Sequence, residues 1–211
     1  MPFKLPRFYP ILDTEIAARH GVDLVSAAAE ILAGGAKILQ FRHKTFFSRD
    51  VFATMERVAA LCREAGVPFV VNDRADLAVL TGAILHLGQE DLPPAAARKI
   101  TGANTIIGYS THNEAQLRTA VTDGVADYLA LGPIFGTASK ENPDPTVGLA
   151  ELQRLRPLAD RPLVAIGGIT RENARMVLAA GADSVSVIGD LFADPSNLRA
   201  RTAEWIAATA R

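Results

Sequence analysis

One pattern recurs along the chain: a short apolar, β-branched run ends in glycine or polar residues, and an Ala/Leu/Glu/Arg-rich stretch with helical spacing follows. The strand-like runs fall at residues 8–13, 37–42, 69–73, 84–88, 105–110, 128–132, 163–168 and 184–189. Helical stretches follow at 22–33, 48–65, 74–80, 93–99, 113–123, 149–158, 171–180 and 195–210. Several runs are apolar on both faces, Tyr128-Leu129-Ala130-Leu131 among them. Strands of a parallel sheet covered by helices have this character. About eight βα units in 211 residues predict a single α/β domain over residues 1–211, a (β/α)8 TIM barrel with a parallel eight-stranded core. A doubly wound sheet is the alternative, but no G-x-G-x-x-G follows the first strand to support a dinucleotide fold.

Capping signals agree with this layout. Thr111 followed by Glu114 fits a capping box. Asp194-Pro195 reads as an N-cap with proline at the first helical position. Gly66, Gly124 and Gly181 stand where a helix wants a left-handed residue past its end.

The stretch Gln40-Phe41-Arg42-His43-Lys44 leaves the second strand. Strand side chains alternate faces, so Gln40 and Arg42 share one face, joined by Lys44 if the extended chain continues. An amide and two cations on a buried strand are costly without a partner, and an anionic ligand is the simplest one. The formal net charge of -1 gives no general reason to expect nucleic acid or an anionic membrane surface, so any anion site must be local. No apolar run approaches bilayer length, and residues 1–10 lack the apolar core of a signal peptide, so a cytoplasmic location is expected. Cys62, the one cysteine, lies in a helical run and reads as a packing residue rather than a nucleophile.

Barrel sites are built from the loops that follow the strands. There the chain carries Asn72 and Asp73, then His86 through Asp91, Ser110, the long loop 136–147, Gly167-Gly168 and Ile188-Gly189. Asp73 and Asp91 stand on adjacent loops, close enough to share one hard cation. Mg²⁺ suits them, since it takes one or two carboxylates and fills its other positions with water and phosphate oxygens. The competing reading makes Asp73 a helix cap and Asp91 a turn residue. Arg42, Lys44 and Lys140 on the same rim favour a diphosphate–metal cluster.

Gly167-Gly168 and Ile188-Gly189 take a frequent phosphate position of barrels, where glycine lets backbone N–H groups approach the oxygens. The alternative is two turns that need positive φ. Asp190 would repel a phosphate, so its side chain is expected to turn away or to cap the next segment. Ser110 is left for a ligand because Thr111 fits the cap. The loop 136–147, with Pro143 and Pro145, reads as a lid carrying Thr137, Ser139 and Lys140, against the alternative of a solvated loop. His86 reads as a satisfied strand-end histidine, and His20, His86 and His112 show no zinc spacing.

Gln40-Phe41-Arg42-x-Lys44, Val71-Asn72-Asp73-Arg74, His86-Leu87-Gly88-Gln89-Glu90-Asp91, Gly132-Pro133-Ile134-Phe135-x-Thr137-x-Ser139-Lys140 and Ala165-Ile166-Gly167-Gly168-Ile169 resemble thiamine-phosphate synthases in order and spacing. The resemblance covers nearly the whole chain. It implies a transferase acting on small phosphorylated substrates in thiamine biosynthesis. A pyrimidine diphosphate loses pyrophosphate, and the nitrogen of a thiazole phosphate attacks the resulting methylene cation. By the same resemblance, Gln40, Phe41, Arg42, His43, Lys44, Asn72, Ser110 and Lys140 hold the pyrimidine diphosphate, with Arg42, Lys44, Lys140 and Ser110 as the catalytic set. Asp73 and Asp91 hold one Mg²⁺, and Thr137, Ala138, Ser139, Gly168, Ile188 and Gly189 hold the thiazole phosphate.

Three positions depart from the family's pattern. His43 stands where an acid is common, Gly189 replaces a serine and Ser139 a threonine. His43 has the opposite strand parity from Arg42 and should face away. Gly189 keeps a backbone contact but not a hydroxyl. The rivals are a thiazole tautomerase on the same barrel and a non-catalytic barrel that binds a phosphorylated metabolite. The tautomerase has little use for the cluster of Arg42, Lys44, Asp73, Asp91 and Lys140, and the non-catalytic barrel leaves the paired aspartates unexplained.

Overall fold

The computed structural model describes residues 4–137 and 144–210. Eight parallel strands close into a barrel in sequence order, with β8 paired back to β1. They are β1 (Phe8–Asp13), β2 (Leu39–Arg42), β3 (Phe69–Asn72), β4 (Ile84–Leu87), β5 (Ile107–Thr111), β6 (Tyr128–Leu131), β7 (Leu163–Ile166) and β8 (Ser184–Val187). Helices α1 (Thr14–Arg19), α2 (Leu24–Ala33), α3 (Arg49–Glu64), α4 (Ala75–Thr81), α5 (Pro94–Thr101), α6 (Glu114–Asp123), α7 (Leu149–Leu155), α8 (Ala174–Ala179) and α9 (Leu198–Thr209) stand between or after them. The barrel expected from the recurring βα pattern is the fold observed.

Strand alternation divides the apolar residues into two layers. Phe8, Leu12, Leu39, Phe41, Val71, Leu85 and Val185 point outward into the core shared with the helices. Tyr9, Ile11, Ile38, Val70, Ile84, Tyr128 and Val164 fill the barrel interior. The single tryptophan, Trp205 on α9, is fully buried and stacks on Phe8 of β1, with ring centroids 5.3 Å apart. The last helix is thereby fastened to the first strand.

Most element boundaries move by a residue or two, as where β4, β6 and β7 end before Gly88, Gly132 and Gly167. Three corrections are larger. Thr111 is the last residue of β5, not a cap: its hydroxyl donates to the Ala130 carbonyl at 2.8 Å. Asn113 caps α6 instead, accepting from the Gln116 amide at 3.0 Å, while Gln116 Oε1 accepts from the His112 amide. The reciprocal pattern is present, shifted by two residues.

Asp194 does stand at the N-cap position before Pro195, but of a 3₁₀ turn and without a side-chain cap. Its carboxylate accepts from Ser196 Oγ and Asn197 Nδ2, and the expected helix 195–210 divides into a 3₁₀ turn at Pro195–Asn197 and α9. The short helix α1 was not foreseen. It is started by Asp13, whose Oδ1 accepts from the Glu15 and Ile16 amides at 3.1 and 2.9 Å.

Candidate active site

The inward parity of β1 to β5 brings Asp13, Arg42, Asn72, His86 and Ser110 to the carboxyl-terminal rim of the barrel. Arg42 forms an ion pair with Asp13, and both side chains are largely buried. Asp13 therefore uses one oxygen to start α1 and the other to hold Arg42. The sequence reading missed this residue. Its signal was its place at the end of the first strand, equivalent to that of Arg42 on the second. Lys44 continues on the same side and sets Nζ 2.5 Å from Asp73 Oδ2.

Asp73 has φ of 66°, and it alone adopts positive φ among the described non-glycine residues. Such backbone costs on the order of 1–3 kcal/mol and persists only where its surroundings enforce it. Here the Asp73 amide donates to the His86 carbonyl at 2.8 Å, which fixes the turn beside β4. Asp73 is thus not the cap of α4; Arg74 occupies that position without a side-chain cap.

The carboxyl groups of Asp73 and Asp91 hydrogen-bond to each other. Burial, then the hydrogen bond with Asp91, pushes the Asp73 carboxyl up to about 6, against the lowering effect of Lys44. For Asp91 burial acts upward too, but hydrogen bonds from Asp73 and the Gly88 amide (2.6 Å) hold it below the usual carboxylate range. Two carboxyls this close disfavour a second negative charge. The pair fits a hard divalent cation, whose charge would offset that repulsion. Among the described residues no group of three or more His, Cys, Asp or Glu side chains comes together as a metal cage. The two-carboxylate set suits Mg²⁺ rather than a structural zinc.

Beneath the rim a chain of hydrogen bonds crosses the barrel. Gln40 Nε2 donates to Tyr9 Oη at 3.0 Å, Tyr9 Oη lies 3.0 Å from Tyr128 Oη, and His86 Nδ1 lies 3.0 Å from Tyr128 Oη. His86 Nε2 is 2.9 Å from Ser110 Oγ, and Gln89 Nε2 donates to the Ser110 carbonyl. Gln40 Nε2 therefore has a partner from below, within the barrel. Ser110 is not a helix cap, and His86 fixes its hydroxyl. Tyr128 finds room because residue 108 is glycine: a Cβ there would stand 2.1 Å from Tyr128 Cζ. Asn72 Nδ2 is buried at the rim with no hydrogen-bond partner.

Two residues of the expected pyrimidine-diphosphate set lie elsewhere. Phe41 points outward and packs under the helices. His43 turns outward as its parity required, with Nδ1 2.8 Å from Thr14 Oγ1 and Nε2 3.0 Å from the Phe46 carbonyl. Its ring edge also meets Phe47, at 5.3 Å between centroids.

After β6, the Ile134 and Phe135 amides donate to the Ile166 and Gly167 carbonyls at 2.8 and 3.0 Å, so this loop lies across the end of β7. A Cβ on Gly167 would come 2.4 Å from Pro133 Cβ, and one on Gly168 2.5 Å from the Gly136 carbonyl oxygen. Loop packing together with positive φ therefore requires both glycines. Thr137 is half-buried at the start of the long loop, while Ala138, Ser139 and Lys140 lie outside the described residues. Ile188 packs against the barrel core, beside Gly189. Asp190 turns away as expected, its Oδ2 accepting from Trp205 Nε1 at 2.9 Å.

A family model described as thiamine monophosphate synthase matches residues 8–191. A thiamine-phosphate synthase of Koribacter versatilis is 47% identical over 207 residues, covering 96% of this chain and 95% of its own. One from Chlorobium phaeovibrioides is 45% identical over 172 residues, with 81% and 82% covered. The solved thiamine phosphate pyrophosphorylase of Pyrococcus furiosus superposes with a TM-score of 0.83 at 32% identity, covering 96% of this chain and 95% of that one. This chain therefore belongs to the thiamine monophosphate synthase family.

Proposed function

We propose that this protein is a thiamine-phosphate synthase. It joins 4-amino-2-methyl-5-(diphosphooxymethyl)pyrimidine to a thiazole phosphate, giving thiamine phosphate and pyrophosphate, with carbon dioxide where the thiazole is carboxylated. The observation that carries this reading is the convergence of Arg42, Lys44, Asp73 and Asp91 on one rim. A thiazole tautomerase or a metabolite sensor has no diphosphate to ionise and no use for that cluster.

The bond between the pyrimidine methylene and the diphosphate oxygen breaks first, and its electron pair leaves with pyrophosphate. The thiazole nitrogen lone pair then forms the new C–N bond. Such an ionisation depends on stabilising the leaving group more than on a general base, so no nucleophile is assigned. Arg42 and Lys44 meet the growing charge already oriented, because Asp13 and Asp73 hold them. Preorganised groups of this kind give the largest electrostatic effect, since they need no reorganisation as charge develops.

Asn72 Nδ2 offers an unpartnered donor, and Ser110 presents a hydroxyl fixed by His86. Lys140, by the family motif, adds a third cation. Thr137, Ala138, Ser139, Gly168, Ile188 and Gly189 are assigned to the thiazole phosphate on the same ground. Asp73 and Asp91 would hold Mg²⁺, which when bound neutralises part of the charge on the diphosphate.

Purified protein, both substrates and Mg²⁺ should give thiamine phosphate and pyrophosphate by chromatography. No product with Mg²⁺, or undiminished activity in EDTA, sinks the proposal. Asp73→Asn and Lys140→Ala should each lower turnover by about 10²–10³-fold, the typical loss for one preorganised electrostatic contact, with unchanged circular dichroism. Normal rates would remove these residues from the mechanism.

A further inference from the structure

The loops after β7 and β8 pose an electrostatic problem that the assigned residues do not resolve. Asp190 follows Gly189 directly, and although its side chain turns towards α9 it is only 14% exposed, so a carboxylate is held one residue from the backbone assigned to a phosphate. Its neighbours come from two elements, α9 and the loop after β7. Arg201 on α9 places Nη2 3.1 Å from Asp190 Oδ2, and its Nε donates to the Asp190 carbonyl oxygen. Arg171, in the loop after β7, places Nε 3.5 Å from the same Oδ2, and its Nη1 pairs with Glu204. Trp205 Nε1 completes the set at 2.9 Å. Arg201, Glu204 and Trp205 share one face of α9, as residues three and four apart do.

Arg171 and Arg201 carry two positive charges, Asp190 and Glu204 two negative ones. Unit charges separated by a few ångströms in a partly buried setting interact strongly, so loss of either cation leaves an uncompensated negative charge beside the phosphate position. The Arg171–Asp190 pair also links the β7 loop, where Asn173 Nδ2 donates to the Gly168 carbonyl at 3.1 Å, to the β8 loop.

We propose that Arg171 and Arg201 are positioning residues that balance the charge of Asp190 beside the thiazole-phosphate loops and fasten both loops to α9. This rests on the assignment of Gly168, Ile188 and Gly189 to the thiazole phosphate. It gives the thiazole substrate its affinity through charge balance rather than through direct contact by the arginines.

The test depends on sign. Arg201→Gln should raise KM for the thiazole phosphate by roughly tenfold, because it exposes the Asp190 charge. Asp190→Asn, which keeps an acceptor for Trp205 but removes the charge, should leave that KM unchanged or lower it. Arg201→Lys should recover most of the loss. KM for the pyrimidine diphosphate should stay constant in all three. Calorimetric binding of thiazole phosphate alone should follow the same order.

A purely architectural role predicts that Arg201→Gln and Asp190→Asn weaken thiazole binding alike, or move both substrates' KM together; either result overturns the inference. Should Arg201→Gln fail to fold, a raised KM in Asp190→Asn overturns it alone. Wild-type protein that binds thiazole phosphate but makes no thiamine phosphate would instead overturn the proposed function. In that case the calorimetric order still decides the inference.

Discussion

Asp13 ties two elements of the rim together. Its two carboxylate oxygens serve two elements, the first turn of α1 and the guanidinium of Arg42. Removing one partner of a buried ion pair typically costs about 3–5 kcal/mol, because the other charge is left uncompensated. Asp13→Ala should therefore lower the urea midpoint by a corresponding amount. Asp13→Asn should be milder, since asparagine remains a good helix cap. A midpoint in Asp13→Ala equal to that of the wild type would show that Arg42 finds another counter-charge.

Thiol chemistry gives a second prediction at this scale. Cys62 is fully buried in α3, and desolvation pushes its thiol up to about 12. A group whose folded value is raised favours the folded state below its ordinary value, and that contribution is lost as pH rises. Stability should fall between about pH 9 and 12, and part of that slope should vanish in Cys62→Ala. An identical slope in wild type and variant would assign the alkaline loss elsewhere, to Tyr9 and Tyr128, whose phenols burial also raises.

At the level of elements, the capping of α6 separates two readings of one stretch. The Thr111–Glu114 spacing matches a cap as a pattern, yet Thr111 is needed by the β5–β6 ladder and Asn113 is the residue that meets the helix. Asn113→Ala should cost about 1 kcal/mol in chemical denaturation, the usual loss for an N-cap. Equal stability would leave the cap unsupported. Gly108 marks a closer constraint: a methyl there collides with the Tyr128 ring, and overpacking of this kind typically costs about 1–3 kcal/mol. Gly108→Ala should also disturb the Tyr128–His86–Ser110 chain, so its turnover should fall along with its melting temperature.

For the whole molecule, closure of the barrel depends on contacts between the two ends of the chain. β8 pairs with β1, and Trp205 covers Phe8. Trp205 emission should therefore report unfolding of the closed barrel, while the reactivity of Cys62 reports exposure of α3. The two should change together with denaturant if the barrel unfolds as one unit. Earlier reaction of Cys62 would show that the α3 region opens before the ends separate.

The sequence by itself determined the architecture and most of the rim. Repeated βα units leave few ways to bury strands that are apolar on both faces, and the alternation at Gln40, Arg42 and Lys44 placed a polar wall inward. Asp73 and Asp91 were legible too, because consecutive strands of a barrel are neighbours in space. What only the tertiary structure decided were the partnerships between residues far apart in the chain: Asp13 with Arg42, Gln40 with Tyr9, Tyr128 with His86, and Asp190 with Arg171 and Arg201. The same holds for His43, whose outward direction followed from parity but whose partner, Thr14, did not. Periodicity fixes the face on which a side chain stands. The register between strands, and the packing of helices over them, fixes what it meets.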